Sequence, residues 1–302
     1  MINPPETIGG LFPLGGPVPR DLIIGRRGDI DELTRRMREG MSTMLAAPRR
    51  IGKTTVCAAV CADLKEQGAL VVEIDVPERP DSRTLLQPII DACSRISLTE
   101  RGRRAFRAAQ PLIQKLLADQ GIPLDLSLLA GTSELPARAV LSLPLELAKH
   151  RGKQAVVFFD ELQRVVDYTD GNDILRDLVD IYGASEHAVV LVDGSDERAL
   201  EGMLGAPAHF GKLVDRLGLD PKIPFTSWRA PLTDRFTRLG LELPAAPLES
   251  ILQWSAGHPY RTMAACRYTA HTARKTNSTT VGDFDVQMGI DEAERYLRDD
   301  AA

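Results

Sequence analysis

Short apolar runs bounded by glycine, proline or polar residues recur along this chain, with stretches of helical period between them. Ala69–Val76 is a β-rich run between Gly68 and Pro77, and Ala155–Phe159 and Ala188–Val192 are continuously apolar. Such runs are strands buried on both faces, as in a parallel sheet covered by helices. Thr43–Ala46 reads as a shorter strand, and Leu217–Phe225 as a fifth, interrupted by Pro221 and Pro224. Asp29 caps a helix with Ile30, Leu33 and Met37 on one face and Gly40 at its end, and Lys53–Gln67 forms the next. Another runs from Asp196 to Leu204. After Trp228 no strand run remains, and Leu232–Leu239, Leu248–Ser255, Pro259–Lys275 and Val281–Leu297 suit a small helical domain.

These elements predict an α/β chain. A core with a parallel β-sheet flanked by helices occupies residues 23–227, and an all-helical domain occupies 228–302. Residues 1–22 hold so many prolines and glycines that no regular element is expected, only a flexible or surface-bound arm. Residues 82–150 form a largely helical insertion, long for a single crossover, with a proline-punctuated loop around Gly121–Pro136.

Composition narrows the classes. The formal charge is 37 minus 42, or -5, so there is no general nucleic-acid-binding field, and any such contact must use a local patch. Arg101, Arg103, Arg104 and Arg107 make the densest one, which reads first as a solvated helix face. Cys57, Cys61, Cys93 and Cys266 form no C-x-x-C pair and read as reduced core thiols. No apolar run approaches a membrane span and no signal pattern opens the chain, so a cytoplasmic location without membrane partners is expected.

The chemistry lies where strands end. Ala47–Thr55 reads Ala-Pro-Arg-Arg-Ile-Gly-Lys-Thr-Thr, the phosphate-binding loop pattern G-x-x-x-x-G-K-[ST] with Ala47 in place of the first glycine. Ala47 can stand there if its φ is negative. Backbone N–H groups of Pro48-Arg49-Arg50-Ile51-Gly52 and the following helix N-terminus would cradle phosphates, proline lacking one. Gly52 permits the tight turn, Lys53 reaches the β and γ phosphates, and the Thr54 hydroxyl ligates Mg²⁺. Thr55 is a helix residue with adenine-side or packing contacts. Arg49 and Arg50 are open between phosphate, a partner and solvent. The apolar strand ending in Asp160-Glu161 completes an ATP site: Asp160 holds Mg²⁺ through water, and Glu161 orients and deprotonates the attacking water. At the end of the next strand Ser195 is the candidate to touch the γ-phosphate or the water, with Asp193 the alternative and a helix cap the plainer role for Ser195.

With these residues in place, the chain resembles the AAA+/STAND branch of P-loop ATPases, most closely the archaeal-type ATPase and origin-recognition-like groups, over residues 23 to about 275. Ile24-Gly25-Arg26-Arg27 through Glu32-Leu33 is similar to the family's N-terminal box beside adenine, and Gly257-His258-Pro259 to its G-x-P element in a helical lid. The resemblance implies a P-loop NTPase core followed by a lid. It also implies nucleotide contacts from Gly25, Arg26 and Pro259, and a lid sensor role for Arg261. For His258 the plainer reading is a loop histidine without chemistry. Arg216 stands where relatives carry an arginine finger used in trans, with Lys212 its rival. Many relatives add a winged-helix DNA-binding domain after the lid, and the residues after Lys275 are too few for one.

The function expected is an ATP-binding and hydrolysing, Mg²⁺-dependent switch acting on a protein client or on a second copy, with nucleic acid a further partner to test. The second reading is a nucleotide-binding scaffold with negligible turnover. A phosphotransferase is disfavoured because Asp160-Glu161 supplies the water-activating group such an enzyme excludes. A GTPase is disfavoured by the lack of an Asn-Lys-x-Asp string.

Overall fold

The computed structural model describes residues 7–78, 82–96, 137–194, 197–205 and 210–299. They form two compact units, one of residues 30–48 and 57–218, the other of the residues up to Asp29, Arg49–Val56 and Leu219 onward. Each has its own apolar core.

The first unit is built on five parallel strands: β1 (Thr43–Ala46), β2 (Leu70–Asp75), β3 (Ala155–Asp160), β4 (Ala188–Gly194) and β5 (Asp215–Gly218). Their order is β2-β3-β4-β1-β5. Strands β1, β3 and β4 are buried almost throughout, as continuous apolar runs in a helix-covered sheet require. Ser42 sets the register around β1: its Oγ accepts from Val190 N–H at 2.9 Å and its carbonyl from Asp215 N–H at 2.9 Å.

The fifth strand therefore lies earlier than the sequence suggests. Pro221 has no N–H for a ladder, and the N–H of Ile223 is given to Gly257 O instead. Helices of this unit include α4 (Ser82–Ile96), α5 (Ala137–Arg151), α6 (Gly171–Tyr182) and α7 (Glu197–Gly205). Tyr182 is fully buried between elements and donates to Leu141 O at 2.6 Å. The middle of the expected insertion, with Arg101, Arg103, Arg104 and Arg107, lies outside the described residues.

The second unit holds α8 (Phe225–Arg238), α9 (Ala245–Ser255), α10 (Pro259–Lys275) and α11 (Asp283–Asp299). Helix α8 starts well before Leu232 and runs through Pro231, because the buried stripe Trp228, Leu232, Arg235, Phe236 begins at the tryptophan. The segment expected to lack regular structure holds α1 (Ile8–Leu11) and a 3₁₀ turn, Arg20–Leu22. No proline interrupts Thr7–Phe12, and the Thr7 hydroxyl caps the turn by accepting from Gly10 N–H at 3.0 Å. Ile8, Leu11 and Phe12 are buried, and the Phe12 and Phe236 ring centroids lie 5.2 Å apart. Two further helices, α2 (Arg27–Arg38) and α3 (Lys53–Glu66), are shared between the units along the chain. Helix α2 opens at Arg27, so Asp29 lies in its first turn rather than at its cap.

Candidate functional site

In the helical unit the chain from Arg49 to Val56 turns into α3. Two residues of this turn have left-handed backbones, Arg50 at φ 66° and Gly52 at φ 95°. No atom lies within 4 Å of a Cβ built at Gly52, so conformation, not crowding, favours glycine there. Ala47 is not among the left-handed residues, so the missing first glycine costs no strain. Lys53 opens α3 and is 6% exposed. Thr54 is half-buried, and the Thr55 hydroxyl accepts from Val18 N–H at 3.2 Å.

Beside this turn lies an apolar slot lined by Val18, Ile24, Ile51, Ile223, Trp228 and Pro259, with Gly52 and Thr55 at one side. Arg26 ties the slot together. Its guanidinium donates from Nη2 to Ile51 O at 3.0 Å and Asp220 O at 2.8 Å, and from Nη1 to Asp29 at 3.4 Å. Burial pushes its pKa down, against the pull of Asp29. Two elements singled out by resemblance meet at Ile223. A Cβ on Gly25 (φ 67°) would lie 2.3 Å from Ile223 Cγ2, and one on Gly257 (φ 73°) 2.4 Å from Ile223 O. Neither position accepts a side chain.

At the start of α10 a basic cleft opens, lined by Arg49, Arg50, Arg261 and Arg298 with Trp254 and Tyr260. The Arg50 guanidinium lies 5.1 Å from the Tyr260 ring centroid and that of Arg261 4.6 Å from the Trp254 ring. Arg261, the expected lid sensor, also donates to Trp254 O at 3.2 Å and so is committed to its own unit here. His258 precedes α10 with a buried Nδ1 that has no hydrogen-bond partner among the described residues. Its pKa is lowered by burial first, then by Arg261, with Arg26 and Arg50 adding to it, so the ring is neutral among cations.

In the sheet unit Asp160 ends β3, half-buried, in register with Asp193 on β4 and Asp75 on β2. Asp193 is 1% exposed. All strands being parallel, Ala46 at the end of β1 leaves the same sheet edge, in register with Gly194 and two strands from β3, about 10 Å away. Glu161 follows with a left-handed backbone (φ 58°, ψ 41°), and its carboxylate accepts from Gln163 Nε2. Ser195 lies outside the described residues. Arg216 lies inside β5, not before it, exposed and opposite Met44, while Lys212 is exposed in the 3₁₀ turn Phe210–Lys212. Among the described residues no three His, Cys, Asp or Glu side chains group as a metal cage, and no helix is long and apolar enough to cross a membrane.

Sequence reasoning missed Trp228 and Ile223 as slot residues, Gln163 beside Glu161, and the aspartate row. The strand-end position of Asp75 and Asp193 was the available signal for the last.

No curated protein matches the chain. Among solved structures, the Walker-type ATPase PABY2304 of Pyrococcus abyssi superposes with a TM-score of 0.66 at 20% identity, covering 96% of this chain and 76% of that one. The Aeropyrum pernix ORC2 protein in its ADPNP–ADP complexes gives 0.64 at 17% identity, over 94% and 71%. The Aeropyrum pernix ORC1 protein in complex with DNA gives 0.60 at 17%, over 95% and 69%. Likeness at this level establishes the fold, a P-loop NTPase sheet with a helical C-terminal region. A family model described as "AAA domain" matches residues 35–194, more than half of the chain, and the chain belongs to that family of P-loop ATPases.

Proposed function

We propose that the protein binds ATP with Mg²⁺, hydrolyses it, and uses occupancy of the site as a switch on a protein client or a second copy. The observation that carries this reading is the joining, within one compact unit, of a phosphate-loop turn to an apolar slot. Arg26 Nε and Trp228 Nε1, on two slot-lining residues, are buried N–H donors without an acceptor among the described residues. A purine, whose ring nitrogens are acceptors, would satisfy such donors. Gly25, Pro259 and Ile24 pack its edges. Loop N–H groups from Ala47 to Ile51 and Gly52 receive phosphate oxygens, with Lys53 adding charge at the terminal phosphates and Arg49, Arg50 and Arg261 raising the local positive potential.

Thr54 and Asp160 are the residues to which the two motifs assign Mg²⁺, a cation commonly bound by one or two protein oxygens plus phosphates. The aspartate row supports this, since adjacent carboxylates repel and a divalent cation relieves them. When bound, the ion neutralises charge on the phosphates. Glu161 takes a proton from the attacking water at its carboxylate, Ser195 or Asp193 contacts the terminal phosphate or the water, and exposed Arg216 serves a neighbouring copy in trans. Because the slot, Arg49–Val56 of the loop and α10 share one unit, nucleotide occupancy acts directly on the helical region. DNA, the ligand of the ORC1 neighbour, is a further partner to test.

The test combines two variants with nucleotide binding and turnover. Lys53→Ala is expected to abolish ATP binding, and Glu161→Gln to keep binding while lowering turnover about 100-fold or more. Unchanged turnover in Glu161→Gln would rule out Glu161 as the water-activating base, and turnover at background in the parent would leave a nucleotide-binding scaffold instead. An ATPase rate indifferent to added DNA and to salt excludes the nucleic-acid role.

A further inference from the structure

Gln163 occupies a position with more chemistry than its packing needs. The 3₁₀ turn Leu162–Asp167 starts directly after Glu161 and is anchored by buried Leu162 and Val165 and by Arg164 N–H donating to Glu161 O at 3.1 Å. In it Gln163 is 5% exposed. Its Nε2 donates to Glu161 Oε2, while its Oε1 is buried without a hydrogen-bond partner among the described residues. A Cβ at Gly194 would lie 2.5 Å from that Oε1 and 2.8 Å from Leu200 Cδ2. The carboxamide therefore lies between the Glu161 carboxylate and the end of β4.

A leucine would fill much the same volume without stranding a buried acceptor. The amide is thus unfavourable for packing, and among the described residues the one bond it makes is to Glu161. We infer that Gln163 is a positioning residue that holds the Glu161 carboxylate through one of its oxygens while Glu161 acts on the attacking water. This rests on the reading that Glu161 activates that water. Glu161 itself has a left-handed backbone, so its side chain leaves the strand at an angle the sheet alone does not define, and the neighbouring amide constrains it.

The experiment measures single-turnover ATP hydrolysis, ATP affinity and thermal stability of the full chain. Gln163→Leu is expected to slow hydrolysis on the order of ten- to hundred-fold, with ATP affinity changed by less than about two-fold and melting temperature equal to or above that of the parent. Gln163→Glu, isosteric but unable to donate when ionised, is expected to lose at least as much. On a Glu161→Gln background the Gln163→Leu change should cause no further loss. Parental hydrolysis by both Gln163 variants overturns the inference, as does a parallel fall of affinity and rate, or an equal further loss in the double variant. Failure of the underlying reading looks different, because Glu161→Gln alone would then hydrolyse ATP at the parental rate.

Discussion

At the scale of single residues, the environment of His258 has a measurable consequence. Burial, then Arg261, with Arg26 and Arg50 adding to it, hold its pKa below the ordinary 6.5. His271 is shifted the same way, by burial and then by Arg267, Lys275 and Arg274. The unfolded chain therefore binds these protons before the folded one does, and stability is lost as pH falls below about 6.5 towards the folded values. Melting temperature should drop between pH 7.5 and pH 5.5, and His258→Asn should flatten part of that slope. An unchanged slope in the variant would remove His258 as its source. The glycines show what single positions reveal in sequence. Gly52 was legible because the loop pattern names it and only its own backbone matters. Gly25 and Gly257 could be named only by resemblance, since the atom that forbids a side chain at each belongs to Ile223, far along the chain.

At the scale of elements, Arg235 decides where the N-terminal segment goes. It is 2% exposed on α8, and its guanidinium donates to Leu11 O at 2.9 Å, to Leu22 O, and to Met263 Sδ at 3.3 Å. Burial lowers its pKa, and the donated bonds satisfy the charge where no carboxylate is bonded to it among the described contacts. Arg235→Met should destabilise the protein by about 3 kcal/mol, because two buried carbonyls lose their donors. It should also weaken ATP binding, since Val18 and Ile24 of the slot lie on the segment Arg235 fastens. Calorimetric melting and nucleotide titration check both effects. Nothing in the local pattern of Thr7–Ile24 announces this tie, and proline and glycine density argues against order when read alone. The displaced fifth strand has the same origin: Ser42, not the composition of residues 217–225, chooses which N–H joins the ladder.

At the scale of the whole molecule, the cysteines of both units are buried. Cys57, Cys61, Cys93 and Cys266 are all buried, and burial pushes Cys61, Cys93 and Cys266 up to about 12. The native protein should therefore react negligibly with an aromatic disulfide reagent at pH 8, and release four thiols on denaturation. A fast-reacting thiol in the native state would contradict this burial. The sequence alone determined the strand-forming runs, the phosphate-loop turn and the carboxylate-bearing strand end, because each depends on neighbours within a few residues: apolar continuity, a glycine that can turn, a helix N-terminus that follows. Only the tertiary structure decided that β4 stands between β1 and β3, that three aspartates share one row, that Ile223 and Trp228 close a slot beside the loop, and that Gln163 grips Glu161. Those are pairings of residues distant in sequence, chosen by packing and hydrogen bonding across elements, and no local period encodes them.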